Sequence, residues 1–230
     1  MKLKLILLVT LAAFAGSVRA QGPWPPERPD QREQSVINED GGRSFIIKPA
    51  SAPLNGVVKP GNATVADLKQ HSIFLGSHWA EPAPRARESQ LSGLLINIRD
   101  HAQMDELTQA GIRDLFGATT SQERLDVPSD RTISDLEIHG VLTAMFKEGT
   151  LPRPAAGAIY VVFLDSGLHS TLGSLIAGKH YIAYHGFLNA SGANIHYAVV
   201  PFQSDSQRAY QIALRALVVA ALNPTGSTSN

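Results

Sequence analysis

The pattern of apolar and polar positions names most of the elements of this chain. Residues 89–102, SQLSGLLINIRDHA, put Leu91, Leu94, Leu95 and Ile98 on one helical face. MDELTQAGI (104–112) predicts a second, short helix that Gly111 helps to end. Ser134 and Glu137 form a capping box ahead of IHGVLTAMF, so a helix starts there and stops near Gly149, before Pro152. AIYVVFLD (158–165) is an unbroken β-branched and aromatic run, which reads as a buried strand. SIFLGSHWA (72–80) reads as a strand running into a loop. KHYIAYHG (179–186) and NIHYAVVPF (194–202) read as two further strands joined by FLNASGA. Residues 117–131 are polar and predict a loop. A last helix runs from about Ser206 to Leu222 and stops at Asn223-Pro224, because proline cannot continue it. Between Ala216 and Leu222 that helix has no polar side chain, so it must be covered nearly all round.

This order of elements predicts an α+β domain, a mixed sheet with helices packed on it. The domain is expected over residues 63–224, with a flexible tail at 225–230. Residues 21–62 are rich in Pro and charge and read as a flexible leader, within which Phe45–Ile47 has the composition of a short edge strand. Residues 1–20 read as a signal peptide: Lys2 and Lys4 precede the apolar run LILLVTLAAFAG, and Val18 and Ala20 occupy the cleavage positions. Export follows from that reading, to the periplasm or the extracellular space.

Composition narrows the chemistry. The chain has no cysteine, which excludes disulfides, thiolate ligands and cysteine nucleophiles. Twenty Lys and Arg against twenty Asp and Glu give no net field to attract nucleic acid. The apolar run of the signal segment is too short for a membrane span, and no other apolar run reaches that length. The chain has neither HExxH nor a phosphate-binding glycine loop. Two of the eight histidines, His185 and His196, fall on adjacent predicted strands and can meet across the hairpin, but two ligands do not make a zinc site. Trp79, with His78 at the end of the first strand, can line a groove, although a partly buried tryptophan is the commoner outcome. DSGLHS holds Asp165, Ser166, His169 and Ser170, the residue types of a catalytic triad, although sequence neighbours are poorly placed to form one and a turn is the plainer account.

Several segments together resemble the exordium family, also called phosphate-induced proteins, and its bacterial secreted relatives. They are FLGSHWA, Met104-Asp105-Glu106-Leu107, GTLPRPAAGAIYVVFL (149–164), YHGF and IHYAVVPF within 184–202, and IALRALVVAALNP (212–224). The resemblance covers roughly residues 65–224 and implies a zincin-like core. Many bacterial relatives carry His-Glu-Leu-x-Glu-Ala on the last helix, and those positions fall here on Arg215, Ala216 and Val219. Arginine is a permanent cation, and alanine and valine offer no donor atom, so the frame of a metal helix is expected without its ligands. The zincin-like core would then be degenerate. On this reading the chain has no catalytic residue, metal or cofactor. It binds an unidentified protein or a cell-envelope component, with Tyr184, His185, His196, His78 and Trp79 as candidate binding residues. The alternative is a secreted hydrolase, either metal-dependent with atypical ligands or serine-based around Ser166 and Ser170.

Overall fold

The structure is a computed structural model, and it describes residues 34–37, 43–48, 65, 67–94, 102–109, 112, 121–151, 155, 157–190 and 192–225. The signal segment, most of the leader and the tail beyond Thr225 lie outside the described residues. In chain order the elements are β1 (Gln34–Ile37), β2 (Arg43–Ile47), β3 (Lys69–Leu75), α1 (Pro82–Ser92), α2 (Ala102–Gln109), β4 (Ser121–Leu125), β5 (Arg131–Ser134) and α3 (Asp135–Glu148). They continue with β6 (Ala158–Leu164), β7 (Leu168–Leu172), β8 (Leu175–Ile176), β9 (Ala183–Ala190), β10 (Ala193–Val200) and α4 (Ser206–Leu222). A short 3-10 turn, Ser77–Ala80, lies between β3 and α1.

Seven strands form one mixed sheet in the order β1-β2-β9-β10-β6-β3-β4. From β10 to β4 the pairing is parallel, and from β10 to β1 it is antiparallel. This is the α+β class expected, with helices on the sheet. Every residue of β6 is buried, because both faces of the parallel half are covered. Ile159, Val161 and Phe163 enter the core shared with α1, α2 and α4, whereas Tyr160, Val162 and Leu164 enter the core shared with α3 and the small β5-β7-β8 sheet.

The nearly all-apolar helix is explained by its place. α4 packs on β9, β10 and β6, with α1 and α2 also against it. Asp205 caps its N-terminus by accepting the Arg208 N–H at 2.7 Å. α3 carries the predicted capping box: Ser134 Oγ accepts the Glu137 N–H at 3.3 Å while Glu137 Oε2 accepts the Ser134 N–H at 2.8 Å.

The structure corrects several boundaries. Residues 34–37 and 43–47, assigned to the leader, are strands of the main sheet, so the fold starts well before residue 63. β2 is not an edge strand either: it lies between β1 and β9 and buries Phe45 and Ile46. The predicted loop at 117–131 contains β4, a strand of polar sequence at the sheet edge. α1 begins at Pro82 rather than Ser89, because proline is tolerated in a first turn that needs no N–H from it. The strand expected from Lys179 starts only at Ala183. Residues before it turn, with the Gly178 N–H on the Tyr181 carbonyl at 2.8 Å.

Candidate functional site

β3, β4 and β6 run parallel, so the loops that follow them leave the sheet at one end. In open parallel sheets that end is where ligands generally bind. Gly76, Ser77 and His78 follow β3, Ser129 and Asp130 follow β4, and Asp165, Ser166 and Gly167 follow β6.

Asp165 ties these loops together and is only 1% exposed. Its Oδ2 accepts the backbone N–H of His78 at 2.8 Å and the hydroxyl of Ser129, while Oδ1 accepts the Gly167 N–H at 2.9 Å. Ser129 in turn accepts from the Ser77 N–H and the Ser77 hydroxyl, each at 3.0 Å. A buried carboxylate needs such donors, and three of them make it a fixed strut between loops. The carboxyl lies where residue 76 would carry a side chain. A Cβ on Gly76 would come within 2.2 Å of it, and Gly76 has a φ of +120°, which few other residues adopt.

Above this strut sits the His78 imidazole, its side chain 28% exposed. Nδ1 is 3.1 Å from Ser166 Oγ, and Nε2 is 3.8 Å from Asp130 Oδ2. Serine, imidazole and carboxylate are thus brought together from separate loops. The grouping is looser than a working triad, since 3.8 Å is outside hydrogen-bond range and Asp130 is 82% exposed. The backbone N–H groups of His78 and Gly167 are already given to Asp165, so these two are not free to hold an oxyanion.

The other residues singled out from the sequence fall elsewhere. Trp79 is buried, and its indole N–H donates to the Phe163 carbonyl at 3.1 Å, so it fills core rather than lining a groove. Tyr184 and His185 are neighbours on β9 and therefore point to opposite faces of the sheet. His185 is buried and stacks on Phe45, with ring centroids 5.2 Å apart. His196 shares the His185 face and hydrogen-bonds the backbone of Pro224, just past α4. Burial first, and His185 second, push its pKa down. Ser170 is buried and bonds the Tyr181 hydroxyl at 2.9 Å, which takes it away from any nucleophilic role. His169 is exposed on β7. Ala216 and Val219 are buried in the α4 core, and Arg215 is half-buried on the same helix. Among the described residues, no group of three or more His, Cys, Asp or Glu is arranged to hold a metal ion. No helix among them is long and apolar enough to cross a membrane.

A second polar cluster had not been expected. Asp135 and His139, one turn apart on α3, are both buried in the core below the sheet. The hydroxyl of Tyr197 donates to Asp135 Oδ1 and Oδ2 at 3.0 and 3.1 Å and lies 2.6 Å from His139 Nε2. The helical spacing held the signal: Asp135 and His139 share a face with Ile138, Leu142 and Met145. Comparison of the chain with protein-family models, curated proteins and solved structures finds no match.

Proposed function

We propose that this is an exported, exordium-like, non-catalytic protein that binds a partner or a cell-envelope component. The polar cluster around His78 and Ser166 is its contact site. The observation that carries the reading is the burial of Ala216 and Val219, at 0% and 3% exposed, in the apolar core beneath α4. Those positions hold acidic residues in the metal helix of the family that the sequence resembles. Here they hold methyl groups packed among Ile159, Val161 and Ala198, with neither donors nor an opening for substrate. Outside the core, among the described residues, this cluster brings an imidazole and a hydroxyl from different loops together at the surface, on the base that Asp165 fixes. Co-sedimentation with isolated cell-envelope material tests this. The wild type is expected to bind with or without chelator, and a His78→Ala, Ser166→Ala double variant of equal thermal stability is expected not to bind. Equal binding by the variant contradicts the reading.

A second reading, a serine hydrolase, is favoured by one contact, Ser166 Oγ to His78 Nδ1 at 3.1 Å. An activated serine would react stoichiometrically with a fluorophosphonate probe, and His78→Ala would abolish the reaction. The binding reading expects no labelling above that of an unfolded control.

A further inference from the structure

The buried cluster on α3 also reaches the N-terminal ribbon. Ser44 is on β2, Gly186 on β9 and Tyr197 on β10, and Gly186 is the register partner of both others. A Cβ at Gly186 would sit 2.9 Å from the Tyr197 hydroxyl oxygen and 3.0 Å from Ser44 Oγ. The glycine therefore opens a window across β9. Through it Ser44 Oγ comes within 3.1 Å of the Tyr197 hydroxyl and donates to Asp135 Oδ2 at 3.3 Å. Strand β2 is joined to the domain by its ladder with β9, and Ser44 adds a side-chain contact from that strand to the carboxyl of α3.

We infer that the docking of β2 onto β9 is governed by the protonation of this cluster: β2 is held most tightly when Asp135 carries a proton and is loosened when Asp135 ionises. Asp135 is 4% exposed and 3.3 Å from His139 Nε2. As an ionised group it is shielded from water by the strands above it, and lifting β2 restores part of its hydration. A neutral carboxyl gains little from that opening. Among the described residues, the titratable groups that face Asp135 are His139 on its own helix, Tyr197 on β10, Tyr184 on β9 and Tyr181 ahead of β9. The tyrosines stay neutral: burial raises Tyr181 to about 12 and Tyr184 well above its ordinary value. His139 and the hydroxyl donors favour the carboxylate, but burial outweighs them and raises the Asp135 pKa.

Hydrogen exchange of the 43–47 amides on the full chain, corrected for intrinsic rates, tests this between about pH 3 and pH 8, a range that spans ordinary Asp and His titration. Protection of β2 should fall about tenfold for each unit by which the Asp135 pKa differs between docked and undocked forms. The β6 amides should keep their protection, which separates local release from global unfolding. In Asp135→Asn, which fixes a neutral amide, β2 protection should not change with pH. A flat wild-type profile, or the same slope in Asp135→Asn, overturns the inference. If that variant does not fold, Ser44→Ala decides instead. It removes a donor that favours the carboxylate in the docked form, so the fall of β2 protection with rising pH should be larger than in the wild type, and an unchanged or smaller fall overturns the inference. The inference rests on the α3 cluster and stands or falls independently of binding at His78.

Discussion

The carboxylate of Asp165 accepts the backbone N–H of His78 at 2.8 Å, joining the turn after β6 to the turn after β3. Together with the bonds from Ser129 and Gly167, this contact sets where the His78 ring stands. Asp165→Ala would leave those donors, buried or part-buried, without their acceptor. We expect a loss of about 3 kcal/mol, since each unpaired buried group costs about 1–3 kcal/mol. Urea denaturation measures it. A loss below about 1 kcal/mol, the net worth of one ordinary hydrogen bond, would show that the strut matters little.

Gly76→Ala should be at least as damaging. The new methyl group would overlap the Asp165 carboxyl, and the residue would be forced to keep a φ near +120°. Strain of this kind costs about 1–3 kcal/mol before any overlap is counted. Thermal melting of the purified variant measures the loss, and a melting temperature equal to that of the wild type would contradict the predicted overlap.

Placing a carboxylate on α4 should not create a metal site. Ala216→Glu would place a carboxylate where no side-chain atom is exposed and the neighbours are apolar. An uncompensated buried charge costs several kcal/mol, about 3–5 kcal/mol where a pair is broken. The variant is expected to be insoluble or unfolded by circular dichroism. A folded variant of wild-type stability would mean that α4 borders an open cleft.

Stability should depend on pH with two opposed limbs. Burial lowers the pKa of His71 and His196 below the ordinary value of 6.5, so the folded state favours their neutral forms. Their contribution is full above that value and is lost as pH falls through the lowered folded values. Asp135 acts in the opposite sense. Its pKa is raised above 3.8, so its contribution is full below that value and is lost as pH rises through the raised one. Denaturation at a series of pH values should therefore show His71→Phe flattening the limb just below 6.5. An unchanged limb would assign the dependence to other groups.

How much of this was legible in the sequence depended on whether the signal was local. The capping box of α3, the buried run of β6 and the span of α4 are written in neighbouring residues, and they stand where the pattern put them. β1 and β4 have little pattern of their own and β2 only the short run Phe45–Ile47, and their place in the sheet comes from a partner strand far along the chain or, for β1, from β2. The site divides in the same way. His78 and Ser166 were visible as residue types, but their meeting depends on Asp165 binding loops from three strands. Tyr184 and His185 looked like one motif and lie on opposite faces of the sheet, because β9 alternates. Ser44, Asp135, His139 and Tyr197 share no local motif, and the one signal along the chain is that Asp135 and His139 are polar residues on an apolar helical face.

The central claim is that α4 supports the fold and holds no metal. Metal analysis of the purified chain, after equilibration with excess zinc and removal of the unbound ion, tests it most directly. The account predicts far less than one zinc per chain, with no difference between wild type and His185→Ala. One tightly held zinc per chain, lost in His185→Ala together with a hydrolytic activity, would contradict it.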